Sequence, residues 1–265
     1  MSSILQVEGG HPLRGEITVR GAKNFVPKAM VASLLADTPS ELYNVPLIRD
    51  TDVVSDLLSL HGVQIDFDQD RGTLRMDPSN VKVASRSDID TLAGASRIPI
   101  LFCGPLLHQL GEAFIPDLGG CHIGSRPVNF HLRVLEDFGA RRIQEAAGMH
   151  LIAEKPLKAK PVHLPYPSVG ATEQTLLTAV MAQGITELTN AAVEPEIMDL
   201  IAILQKMDES QAAKTLAAMD ADQSARLTKL MYTGVPKKVI SPLDRQGQNP
   251  QNTANEGQPT DEAAQ

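Results

Sequence analysis

Apolar residues recur at helical spacing in six stretches of the chain, and these fall into three pairs. The first member of each pair is an apolar helical segment opened by a Gly-Ala pair: NFVPKAMVASLLA, RIPILFCGPLLHQL and TEQTLLTAVMAQ. The second member is amphipathic. Val53 and Leu57, and Val54 and Leu58, stand four apart in DTDVVSDLLSL. Val128, Leu132, Leu135 and Phe138 form a stripe in RPVNFHLRVLEDF, and Ile197, Ile201 and Leu204 in EPEIMDLIAILQKM. Residues at these intervals share one helix face, so six helices are predicted. Between the members of each pair lies a short strand signal, SELYNV, EAFIPDL or ITELTNA. In the first two copies the second helix runs into a glycine, Gly62 or Gly139, and then two strands ending in TLRM and MHLIA. A glycine there can take the left-handed conformation that closes a helix.

The three copies start at Gly21-Ala22, Gly94-Ala95 and Gly170-Ala171, at intervals of about 75 residues. Each is a strand–helix–strand–helix–strand–strand unit. The expected fold class is therefore α/β, three repeated βαβαββ modules with the third cut short. The expected modules are about 21–93, 94–165 and 166–207. Residues 1–20, with ILQVEGGHPLRGEITV, read as a strand segment ahead of them. After Met207 the strand pattern does not resume. Residues 208–235 read as an Ala-rich helical tail. Residues 236–265 are rich in Gln, Asn, Pro and Gly, a composition that cannot bury a core and is expected to be disordered.

Composition narrows the functional classes. The chain has 265 residues, 42% hydrophobic and 21% charged, with a net charge of −8. That is an ordinary globular balance, and the negative sign argues against a nucleic-acid surface. No apolar run reaches the length a membrane helix needs, and the N-terminus lacks a signal-peptide layout. A cytoplasmic protein is expected. Cys103 sits in an apolar run and is expected to be buried. No Cys/His spacing suggests a metal site.

Four stretches carry candidate chemistry. In GAKN, Lys23 follows a glycine turn just ahead of a helix and can aim its ammonium at an anion; a solvated lysine is the plain alternative. In GGCHIGSRPV, Cys121 lies among glycines, five residues before Arg126 and the helix-starting Pro127. Positive charge and a helix N-terminus both lower a thiol pKa, which suits a nucleophile or proton donor; a structural turn with an incidental cysteine is the plain alternative. Arg97 stands at the head of an apolar helix, either as a solvated charge or as an anion ligand. PSVGAT, at 167–172, offers hydroxyls and backbone amides at a helix start, either as a phosphate seat or as an ordinary cap.

GAKN, Arg97 with GPL, GGCHIGSRPV, SVGAT and NAAVEPEI, in this order, resemble the UDP-N-acetylglucosamine enolpyruvyl transferases, from about Leu5 to Met207. The resemblance implies two similar domains of three modules each, with the substrates between them, and the first step of peptidoglycan precursor synthesis as the activity. It implies that Lys23 and Asn24 hold phosphoenolpyruvate, and that Cys121 protonates its enol carbon and is the target of fosfomycin. Arg126 contacts both substrates and Arg97 the sugar nucleotide. Pro127, Val128, Asn129 and Phe130 cradle the uridine part, and Ser168, Val169 and Gly170 lie near the diphosphate. Asn129 replaces the family's usual Asp, and Tyr166 stands near a position often held by Lys. The partners implied are the two small-molecule substrates. The chemistry requires no metal or organic cofactor.

The family's base for the sugar hydroxyl belongs to its second domain, so this chain by itself is expected not to complete the reaction. The strand at 1–20 also belongs to that domain in the family, so here it is expected to lack its sheet. Residues 208–231 look like short helical repeats of another protein type. The competing readings are a sister transferase acting on shikimate phosphate, a non-catalytic UDP-sugar-binding module, and an interaction protein whose tail matters most.

Overall fold

The computed structural model describes residues 6, 8–10, 12, 14–93, 97–116 and 128–207. These belong to one compact unit, Met1–Ala225. The first module contains α1 (Val26–Ala32, continued by a 3-10 turn to Leu35), β1 (Ser40–Leu42), α2 (Arg49–Leu60), β2 (Gln64–Asp68) and β3 (Thr73–Asp77). After α3 (Arg86–Ala93) the second contains α4 (Pro99–Leu110), β4 (Glu112–Pro116), α5 (Asn129–Asp137), β5 (Arg141–Glu145) and β6 (Gly148–Ile152). The third contains β7 (Val162–His163), α6 (Val169–Ala179), β8 (Leu188–Thr189) and α7 (Pro195–Met207).

The repeat is exact in its topology. The first two modules each form an antiparallel three-stranded sheet in which the last strand lies in the middle, β1-β3-β2 and β4-β6-β5. Leu42 pairs with Leu74, and Ile115 with Met149, in matching places. In the third, β7 and β8 pair in parallel.

The largely apolar character of α1 and α4, and the run Leu176–Leu177 with small residues in α6, have a simple consequence. A helix that is apolar on all sides must be surrounded. Every residue of α1 is buried, as are Pro99 to Leu107 of α4 and Ala171 to Ala179 of α6. The three pack at the centre, with the amphipathic helices and the sheets outside them. Met30, Leu34, Leu58, Leu106, Leu135 and Leu176 are among the fully buried side chains of this core.

Both helix-closing glycines adopt the expected left-handed backbone, Gly62 at φ +87° and Gly139 at φ +99°. They differ in surroundings. A methyl on Gly62 would lie 2.1 Å from the Asn80 carbonyl oxygen, whereas one on Gly139 would meet nothing within 4 Å. Gly139→Ala should therefore cost about 1–2 kcal/mol, the backbone term alone. Gly62→Ala should cost clearly more, because the 80–82 segment must also move. Urea unfolding of the two variants checks the order; equal losses would contradict it.

Residues 14–20 form no strand ladder, and Ile17 and Val19 are exposed, as expected of a strand without its sheet. Their alternating pattern marks a strand that no neighbouring strand meets among the described residues. Helix α3 was not expected at all. Its sequence, RSDIDTLA, buries one large apolar side chain, Ile89, too little for a periodic signal.

Candidate active site

Five helix starts meet on one side of the central core. The turn before α1 supplies Lys23 and Asn24, the first turn of α2 supplies Asp50, and the approach to α4 supplies Arg97. The first turns of α6 and α7 bring Val169 and Glu196. Together with Lys28, Ile98, Leu101, His131 and Glu173 they line an open cleft of about 470 Å³. The repeat explains the convergence, since equivalent helices in the three modules begin at equivalent points. Helix starts leave backbone N–H groups without intrahelical partners, and their dipoles favour negative charge.

Lys23 reaches into solvent and pairs with Asp50 at 3.5 Å. An exposed pair of this kind is worth little, so the ammonium is available to a ligand at small cost. Gly21 is pressed against the chain of the first module: its N–H donates to the Asn44 carbonyl at 2.9 Å, and a methyl there would lie 2.7 Å from the same oxygen. The backbone that presents Lys23 and Asn24 is thus held by a contact that only glycine permits. On α6, the Ser168 hydroxyl accepts from the Ala171 N–H at 3.3 Å, an ordinary cap. That hydroxyl is committed to its own helix, while the amides of Val169 and Gly170 belong to the set no intrahelical carbonyl can serve.

Among the candidates, Lys23, Asn24, Arg97 and Val169 share the cleft. Gly170 lies behind it, under the imidazole of His131; a methyl on Gly170 would be 2.6 Å from Nε2. Val128, Asn129 and Phe130 lead into and begin α5, with Asn129 exposed. Cys121, Arg126 and Pro127 lie outside the described residues. Cys103, in contrast, is fully buried in α4, and burial drives its thiol far above the range in which a thiolate forms.

Sequence reading missed Lys28, His131 and Glu173. Lys28 and Glu173 form an ion pair beneath the cleft, with side chains only 4% and 8% exposed. It joins α1 to α6. Burial raises the Glu173 pKa, opposed by Lys28, while Glu196 and Glu194 raise it further. The signal was present: one lysine inside FVPKAMVASLL and one glutamate inside ATEQTLLTAV, each a lone charge in an apolar helix. A charge in such a place is rarely left unpaired.

His131 is lowered to about 4, chiefly by burial; a side-chain hydrogen bond with Gln174 acts against this and the nearby charge of Arg97 adds to it. Its Nδ1 has no hydrogen-bond partner among the described residues. It is therefore neutral near pH 7. The unfolded chain takes up a proton that the folded chain refuses, so stability falls as pH drops from 6.5 towards about 4. His61 and His108 are shifted down by burial as well and act in the same direction. The raised Glu173 acts in the opposite direction, its contribution being present at low pH and lost as pH rises through its folded value. The three histidines should dominate. Thermal unfolding at pH 5 should occur below that at pH 7.5, and His131→Gln should shrink the difference; an unchanged difference would contradict the assignment.

Comparison with known proteins bears on what such a cleft belongs to. Residues 7–215 match the EPSP synthase (3-phosphoshikimate 1-carboxyvinyltransferase) family. The chain is 38% identical over 247 residues to a UDP-N-acetylglucosamine 1-carboxyvinyltransferase of Protochlamydia amoebophila (strain UWE25), covering 89% of this chain and 51% of the relative. It is 41% identical over 203 residues to one of Acidiphilium cryptum (strain JF-5), covering 77% and 48%. In fold it is similar to the enolpyruvyl transferase NikO from Streptomyces tendae, at 21% identity and a TM-score of 0.63, over 74% of this chain and 45% of that one. The chain spans about half the length of the curated relatives it matches. No helix among the described residues is long and apolar enough to cross a membrane. On its sequence match and its repeated α/β modules, the chain belongs to the EPSP synthase family of carboxyvinyl transferases.

Proposed function

We propose that this chain supplies the substrate-holding half of a UDP-N-acetylglucosamine enolpyruvyl transferase, acting in the cytoplasm on the first step of peptidoglycan precursor synthesis. The observation that carries the reading is the meeting of Lys23, Asn24, Arg97 and the start of α6 in one cleft. Phosphoenolpyruvate carries a carboxylate and a phosphate, and the sugar nucleotide a diphosphate. Cations and helix starts are the groups that recognise such anions.

In the reaction, the sugar 3′-hydroxyl gives its proton to a base, which in the family lies in the second domain, and its oxygen adds to C2 of phosphoenolpyruvate as a proton is added to C3. The tetrahedral adduct then loses a proton from the new methyl group and inorganic phosphate, leaving the enolpyruvyl ether. Lys23 and Asn24 hold the phosphoenolpyruvate, Arg97 the sugar nucleotide, and Arg126 contacts both. Pro127, Val128, Asn129 and Phe130 contribute to the uridine side, and Ser168, Val169 and Gly170 to the diphosphate side. Cys121 delivers the proton to C3. The cations offset charge that grows on the phosphate as it leaves.

Fosfomycin tests the role of Cys121. The full chain, treated with fosfomycin in the presence of UDP-N-acetylglucosamine and digested, should carry one adduct, on the peptide containing Cys121. Cys103 should remain unmodified because it is buried and un-ionised. An unmodified Cys121 peptide would remove it from the chemistry.

A further inference from the structure

The Lys28–Glu173 pair has a place in the cleft that its structural role alone does not require. Both side chains line the cleft, yet both are nearly inaccessible, and each comes from a helix whose start lies at the cleft. Lys28 lies five residues beyond Lys23, and Glu173 four beyond Val169. A core between α1 and α6 would be filled as well or better by two apolar side chains, since burying both charges costs much of what their attraction returns. What a charged pair provides, and an apolar one cannot, is a field at the cleft floor that can be set by either partner.

We propose that Glu173 masks the charge of Lys28 at the floor of the cleft, so that this pair sets how tightly the anionic substrate is held. The inference rests on the proposed substrate class but identifies two residues that set affinity without touching the ligand. As built, the pair is neutral. The field that a ligand feels then comes from Lys23, Arg97 and the helix starts, partly countered by Asp50 and Glu196. An enzyme that must release product gains from a site that is not more cationic than this.

The consequence is a pair of opposite signs. Glu173→Gln keeps the shape and a hydrogen-bond acceptor for Lys28 but leaves one unmasked positive charge. It should tighten binding of phosphoenolpyruvate and of UDP-N-acetylglucosamine by about fivefold. Lys28→Gln leaves the negative charge and should weaken both by a similar factor. Lys28→Met/Glu173→Met should bind within about twofold of the wild type. A purely structural pair predicts something else, since both single variants would then weaken binding together, in step with their loss of stability.

The experiment is calorimetric titration of the full chain and the three variants with each ligand separately, alongside their unfolding midpoints. Opposite shifts in affinity with same-sign shifts in midpoint support the proposal. Shifts of the same sign, or none, overturn it. Should a single variant not fold, Lys28→Gln/Glu173→Lys and Lys28→Glu/Glu173→Gln carry the same net charges from the opposite helix, and the same signs are expected. If the wild type binds phosphoenolpyruvate and not UDP-N-acetylglucosamine, the sugar-nucleotide reading fails, and the masking is decided on phosphoenolpyruvate. If it binds neither, the proposal falls too.

Discussion

Lys28→Ala should lower the stability of the chain by about 3–5 kcal/mol, and Glu173→Ala by a similar amount. Either change strands a charge between α1 and α6, where the side chains are 4% and 8% exposed. The loss is larger than a surface pair could give because water cannot reach the remaining partner. For a unit of about 200 residues this corresponds to a fall of roughly 10 °C in the unfolding midpoint. Replacing both with Met should restore most of it, since the apolar helices around them already match such side chains. A double variant no more stable than the singles would show that the site needs charge rather than volume. Losses below about 1 kcal/mol in the singles would show that the pair is wetter than its burial indicates.

Arg97→Ala should weaken UDP-N-acetylglucosamine binding about thirtyfold. A hydrogen bond to a charged group contributes about 2 kcal/mol, and tenfold in affinity corresponds to about 1.4 kcal/mol. Arg97 enters the cleft ahead of α4, half-buried, next to His131. Its guanidinium can present two parallel N–H groups to a phosphate, which a lysine cannot. Arg97→Lys should therefore recover part of the loss, through charge alone. The unfolding midpoint should move little in either variant, which separates a binding role from a folding one. A titration in which Arg97→Ala binds like the wild type would assign the arginine to solvent.

These two expectations stand at opposite ends of what the sequence made visible. Arg97 was legible because an arginine beside an apolar run has few plain explanations, and its equivalents Lys23 and the SVGAT segment recur at the same point of the module. Periodicity also placed all six repeat helices, because each buries one face or nearly all of itself, and the glycines Gly62 and Gly139 marked the strand pairs that follow them. The Lys28–Glu173 pair was hidden because its members are 145 residues apart in sequence, and pairing is a property of how α1 and α6 cross. His131 was hidden for the same reason. On the sequence it is a polar residue in the first turn of α5, and only its packing over Gly170 and its burial give it a neutral ring at the cleft. The segment before residue 20 shows the limit of such a pattern. Alternation describes what a strand would present, and it does not supply a neighbour to pair with.

Conformational detail follows the same division. Glycine at the end of a helix is a local requirement, so Gly62 and Gly139 could be assigned from sequence. The crowding that separates them, Asn80 against one and open space against the other, comes from tertiary structure.

The central claim is that the cleft formed by the starts of α1, α4 and α6 holds a sugar nucleotide. It is tested most directly by calorimetric titration of the full 265-residue chain with UDP-N-acetylglucosamine, with shikimate 3-phosphate as the competing ligand. The account predicts saturable binding of one UDP-N-acetylglucosamine per chain, weakened in Arg97→Ala and undisturbed by shikimate 3-phosphate. No binding by the folded chain, or a preference for shikimate 3-phosphate, would contradict it.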